Sequence, residues 1–144
     1  MKDIEIVRML KFPRDSVWNA LTDSAQLAAW LMPNDFRPEI GHRFTFRTKP
    51  APGFDGTIHC EVLELSPPER LVISWRGGPL DTRVSFDLAE TAEGTRLTLR
   101  HTGFGGLSNI IPRLVLGFGW KGLLEKKLPG QLSAPQPAGA TAWR

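Results

Sequence analysis

Hydrophobic and polar residues alternate near the start of the chain, where Ile4 and Ile6 flank Glu5 before the run turns apolar on both faces toward Leu10. That period of two predicts a first strand. Pro13, followed by Asp15-Ser16 ahead of Val17, Trp18 and Leu21, predicts a short amphipathic helix with a proline at its start and a polar cap. A second short helix is expected from Asp23-Ser24, carrying Leu27, Trp30 and Leu31. After Pro33 and Pro38 the alternation returns. Phe44 and Phe46 share one face of a second strand, and Ile58, Cys60 and Val62 share one face of a third. The adjacent prolines of Ser66-Pro67-Pro68-Glu69-Arg70 cannot donate ladder hydrogen bonds, so a tight connection is predicted there. Leu71, Ile73 and Trp75 mark a fourth strand, Val84, Phe86 and Leu88 a fifth, and Leu97, Leu99 and His101 a sixth.

From about Ser108 to Leu128 the period becomes helical. Ile111, Leu114, Val115, Phe118, Leu124 and Leu128 are assigned to one stripe, with Pro112 in the first turn and Pro129-Gly130 as the stop. Residues 1–130 are read as a single domain and residues 131–144, rich in Ala, Pro and Gly, as a flexible tail. The order strand, two short helices, five strands, long helix does not alternate as βαβ units would, so the sheet is expected to be antiparallel. The fold class that follows is α+β: a curved six-stranded antiparallel sheet gripping one long C-terminal helix.

A chain of 144 residues with 41% hydrophobic and 23% charged residues fits one soluble globular domain. The excess of Lys and Arg over Asp and Glu is only 18 to 15 and is dispersed, so nucleic acid is not an expected partner. The apolar stretch Leu114 to Leu124 is broken by Gly117, Gly119, Lys121 and Gly122 and is too short to span a bilayer, so no membrane insertion is expected. Cys60 is the single cysteine, and no charged-then-apolar leader opens the chain; a reducing cytoplasm is the expected location.

The run Val17-Trp18-Asn19-Ala20-Leu21-Thr22-Asp23 with Leu27, Ala28 and Trp30 resembles the start of the SRPBCC superfamily, also called START-like or Bet v 1-like. Gly41-His42-Arg43-Phe44-Thr45-Phe46, the stretch Val62 to Val72 with Trp75, Thr95-Arg96-Leu97-Thr98-Leu99, His101-Thr102-Gly103-Phe104 and Gly119-Trp120 resemble its branch of activators of heat-shock protein 90 ATPase. The resemblance spans about residues 4 to 128 and departs from the pattern in a long Gly-rich lead, Gly103 to Ser108. It implies a helix-grip fold. The functions it implies range over chaperone-partner domains, carriers of lipids, and polyketide cyclases, because the matching motifs are mainly packing and turn residues.

Phe44, Phe46, Trp75, Phe86 and Leu99 share the concave face of the expected sheet, with Leu114, Phe118 and Gly119 opposite them on the helix. They form the candidate binding site for a small hydrophobic molecule. Gly117, Gly119 and Gly122 each cost a helix about 1 kcal/mol relative to alanine. They either open space for a ligand or allow close helix-to-sheet packing. His101 has the inward parity of Leu97 and Leu99; it is either a polar contact for a ligand, a general acid or base, or a satisfied core histidine. His59 and Cys60 are adjacent on a strand and point to opposite faces, so no metal site is expected, and no cofactor is implied. Cys60 on an apolar strand is expected to be inert. Arg8, Arg47 and Arg76 are candidates for a ligand carboxylate, and Trp143 for a docking anchor in the tail. The leading expectation is non-catalytic binding of a small hydrophobic ligand, by a monomer or by a homodimer formed through the sheet edge or final helix. A chaperone-partner domain and a cyclase that uses His101 are the alternatives.

Overall fold

The computed structural model describes residues 3–134. Six antiparallel strands form one sheet: β1 (Ile4–Leu10), β2 (Arg43–Arg47), β3 (Thr57–Ser66), β4 (Arg70–Gly77), β5 (Leu80–Thr91) and β6 (Gly94–Thr102), in the order β1-β6-β5-β4-β3-β2. Each strand from β2 to β6 pairs with its neighbour in sequence, and β1 joins the far edge, with Ile6 opposite Leu99. A register shift between Val62 and Glu64 in β3 bends the sheet locally. The period-two pattern selects the inner face. Phe44, Phe46, Ile58, Cys60, Val62, Leu71, Ile73, Trp75, Val84, Phe86, Leu97 and Leu99 are all buried.

Two short helices, α1 (Arg14–Thr22) and α2 (Ser24–Trp30), follow β1. The Asp23 carboxylate accepts the backbone N–H of Gln26 at 3.1 Å and caps α2, as its position before Ser24 predicts. Asp15 and Ser16, expected to cap α1, lie inside its first turn; there the Asp15 charge complements the helix dipole. The Trp30 indole donates to the Ala20 carbonyl at 2.8 Å and fastens the two helices together.

The C-terminal helical segment differs from the sequence reading in two respects. It begins with a 3₁₀ turn at Leu107–Asn109 and runs as α3 (Ile110–Gly122), a π-helical turn at Leu123–Lys127 and α4 (Leu128–Ser133), so it continues through Pro129-Gly130. Pro129 lies just after the π turn, whose wider winding relieves the clash between a proline ring and the preceding turn. α4 packs against α1 and α2, which holds residues 131–133 in a helix where a tail was expected. The second difference is the buried stripe. Trp120, Leu124 and Leu128 face the core, whereas Ile111, Leu114, Val115 and Phe118 are exposed. Trp120 and Phe118 are two residues apart, roughly 200° around the helix, so they cannot both face the sheet. Trp143 lies outside the described residues.

At the β5–β6 turn, Gly94 has φ +152°, and a β-carbon there would collide with the Leu10 carbonyl and lie 2.8 Å from the Phe12 nitrogen. The turn presses directly on the end of β1. Gly94→Ala is therefore expected to destabilise the domain by roughly 2–3 kcal/mol, read as a lower urea midpoint; an unchanged midpoint would refute this close approach.

Candidate functional site

The inner face of the sheet carries a continuous series of rings. Phe36 meets Phe44 with centroids 5.1 Å apart, Phe44 meets Phe46 at 5.4 Å, and Phe46 meets Trp75 at 5.6 Å. Trp75 in turn contacts both His101 and Trp120 at 5.4 Å, and Trp120 contacts Phe86 at 6.0 Å. Edge-on and tilted geometries dominate, as expected where ring quadrupoles pack closely. Trp120 enters this series from α3, and Phe104, on the loop before the helix, closes over His101 at 4.7 Å.

One polar chain runs through this apolar interior. The Trp120 indole N–H donates to His101 Nδ1 at 3.1 Å, His101 Nε2 lies 2.7 Å from Thr82 Oγ1, and the Thr82 hydroxyl donates to the Trp75 carbonyl at 2.8 Å. An indole only donates and a carbonyl only accepts, so the Thr82 proton is committed to Trp75. Nδ1 must then be unprotonated and Nε2–H must donate to Thr82. His101 is neutral, fully enclosed and bonded at both nitrogens, and burial lowers its pKa to about 3. Neither ring nitrogen is left over for proton transfer in this arrangement.

The structure brings Phe44, Phe46, Trp75, Phe86, Leu99 and His101 together in the buried interior. It places Leu114 and Phe118 on the outer side of α3, 52% and 76% exposed, which corrects their assignment to the inner stripe. Gly119 is also exposed, and β-carbons at Gly117, Gly119 or Gly122 would have no neighbour within 4 Å. The helix glycines therefore neither enable close packing nor border the ring series. Sequence reasoning named Trp120 only within the family resemblance, not as a site residue, and passed over Thr82. Both were within reach: Trp120 is four residues before Leu124 and eight before Leu128, and Thr82 has the parity of Val84 and Phe86.

The other candidates sort by face. Burial pushes the Cys60 thiol far up, and His59 projects from the opposite side of β3. Among the described residues, no group of three or more His, Cys, Asp or Glu side chains is placed to hold a metal ion. Arg76 pairs with Asp81 at 3.0 Å on the outer face, and Arg47 is exposed. Arg8 alone of the three arginines has inward parity, and its guanidinium reaches Glu125 in the π turn. This pair ties the helix to the β1 edge. Both partners are partly solvated, so Glu125→Gln is expected to cost less than about 1 kcal/mol in urea unfolding; a loss of several kcal/mol would show that the pair holds the helix in place. The Gly-rich lead is anchored rather than free. Asn109 Oδ1 accepts the Gly105 N–H at 3.0 Å, and its amide donates to the Pro79 carbonyl at 3.3 Å.

A helix laid across a curved antiparallel sheet, with two short helices after the first strand, matches solved structures over most of the chain. Protein MLL2253 from Mesorhizobium loti is 30% identical and superposes with a TM-score of 0.83, covering 94% of this chain and 100% of that one. The sequence profile of the family described as Activator of Hsp90 ATPase homolog 1-like protein matches residues 11–129. The chain belongs to this family. Within the fold of this AHSA1-like domain, CalU16 from Micromonospora echinospora is 28% identical, with a TM-score of 0.75, over 91% of this chain and 76% of that one. DynU16, from the dynemicin biosynthetic locus, is 24% identical with a TM-score of 0.78; it covers 95% of this chain and 49% of its own, a likeness of fold. No curated protein matches the sequence significantly. Among the described residues of the AHSA1-like domain, no helix is long and apolar enough to cross a membrane.

Proposed function

We propose that this AHSA1-like domain binds a small, planar, apolar molecule non-catalytically between the inner face of the sheet and the C-terminal helix. The observation that carries the proposal is the place of Trp120. One side chain from α3 occupies the slot bounded by Trp75, Phe86 and His101, and its indole supplies the one donor that His101 Nδ1 accepts. Lifting the helix by the width of a ring vacates a slot with aromatic walls and a single acceptor at its end. A planar ligand with one hydrogen-bond donor restores both the packing and the hydrogen bond that Trp120 gives up. The orientation of α3 supports this reading, because most apolar side chains of its first half are exposed and Trp120 is its buried residue. A neutral, doubly bonded His101 suits a binding contact better than the acid–base role that a cyclase requires.

The experiment is native mass spectrometry of freshly purified protein against a denatured sample, followed by titration with planar apolar compounds that do or do not carry a donor. Binding of one molecule per chain, at least ~10-fold tighter for the donor-bearing member of each pair, is the expected result. Failure of every such compound to bind would remove the proposal. It would shift the case to the protein-partner reading that the family's description suggests, which an unchanged Hsp90 ATPase turnover on mixing would in turn eliminate.

A further inference from the structure

The side of α3 turned away from the domain is apolar. Leu107 is 87% exposed, Phe118 76%, Ile111 72%, Val115 64%, Leu114 52% and Ile110 43%. At about 100° per residue these six positions form one stripe along the first half of the helix. Singly exposed apolar residues are ordinary, but a contiguous face of this kind marks a surface that meets something.

Charge selects what it meets. The helical segment from Leu107 to Ser133 carries Arg113, Lys121, Lys126 and Lys127 against one acid, Glu125, and Glu125 is already paired with Arg8. Lys121 is three residues beyond Phe118 and seven beyond Leu114, so it extends the stripe at its C-terminal end, and Lys126 and Lys127 are exposed just beyond it. A second copy laid on this face would bring like charges together with no spare acid on the segment to pair them. A negatively charged lipid surface accepts both features: the apolar side chains enter the boundary between headgroups and acyl chains, and the long lysines reach the phosphates.

We infer that α3 docks the domain peripherally on anionic lipid surfaces through the Leu107–Phe118 stripe and the lysines that follow it. This docking uses the face opposite Trp120 and is independent of ligand binding in the interior. The test is co-sedimentation of the full chain with vesicles of phosphatidylcholine and phosphatidylglycerol in equal parts, compared with phosphatidylcholine alone. Binding to the mixed vesicles is expected to be at least ~10-fold stronger than to the neutral ones and to weaken in high salt. The pair Leu114→Gln with Phe118→Gln is expected to reduce it at least ~10-fold while leaving the unfolding midpoint in place, because both side chains are exposed. The pair Lys126→Gln with Lys127→Gln should bring binding to mixed vesicles near the neutral-vesicle level. No sedimentation with either vesicle, or equal binding by the Leu114/Phe118 variant, would overturn the inference. So would a concentration-dependent dimer that this variant dissolves in the absence of vesicle binding, since the face would then belong to a second copy.

Discussion

Replacing Trp120 with alanine is expected to lower the unfolding free energy by about 3–5 kcal/mol, the range for truncating a large buried aromatic residue. Two losses combine. The ring contacts with Trp75, Phe86 and His101 disappear, and His101 Nδ1 loses its donor inside an apolar interior. A loss of this size is comparable with the whole stability of many small domains, so Trp120→Phe is the informative companion. It restores most of the packing without the donor and should recover more than half of the loss. Urea denaturation of both variants reads the split. Equal destabilisation by Ala and Phe would show that the hydrogen bond outweighs the packing, and little effect from either would mean that Trp120 does not fill the interior.

Acidification provides the second large effect. The folded-state pKa of His101 is lowered to about 3 by burial, whereas an unfolded histidine titrates near 6.5. Between these values the unfolded chain binds the additional proton. The contribution of neutral His101 is thus fully present above about pH 6.5 and declines as pH falls through the window, at about 1.4 kcal/mol per pH unit. By pH 3.5 the loss from this residue reaches about 4 kcal/mol. Carboxylate titration adds to the acid limb, so the comparison is with His101→Gln, which cannot titrate. The variant is expected to be less stable at pH 7 but to have a flatter profile between pH 6.5 and 4. Parallel profiles for the two proteins would contradict a neutral, enclosed His101.

The sheet was legible because its strands repeat apolar residues at a period of two between connections that contain Pro or Gly, so Phe44, Phe46, Trp75, Phe86, Leu99 and His101 could be placed on one face from the sequence. The final helix was legible as a helix but not as an oriented one. It is apolar on two sides, and periodicity cannot say which side faces the sheet. Its rotation is decided by a partner nineteen residues away, His101, whose ring nitrogen takes the Trp120 indole proton. The helix stop failed for a similar reason. Pro129-Gly130 reads locally as a terminator, yet a π turn ahead of it and packing of α4 on α1 and α2 carry the helix to Ser133. Thr82 escaped notice because a threonine on a strand commonly faces solvent, and only the closed polar chain assigns it an inward role.

The most direct test of an aromatic binding slot under Trp120 is nuclear magnetic resonance of the protein with a planar apolar compound bearing one donor. Intermolecular Overhauser contacts from that compound to the Trp75, Phe86 and His101 rings, together with a displaced Trp120 indole N–H signal, are the predicted result. Contacts confined to Leu114, Phe118 and the outer side of the helix, with the Trp120 signal unmoved, would contradict the account.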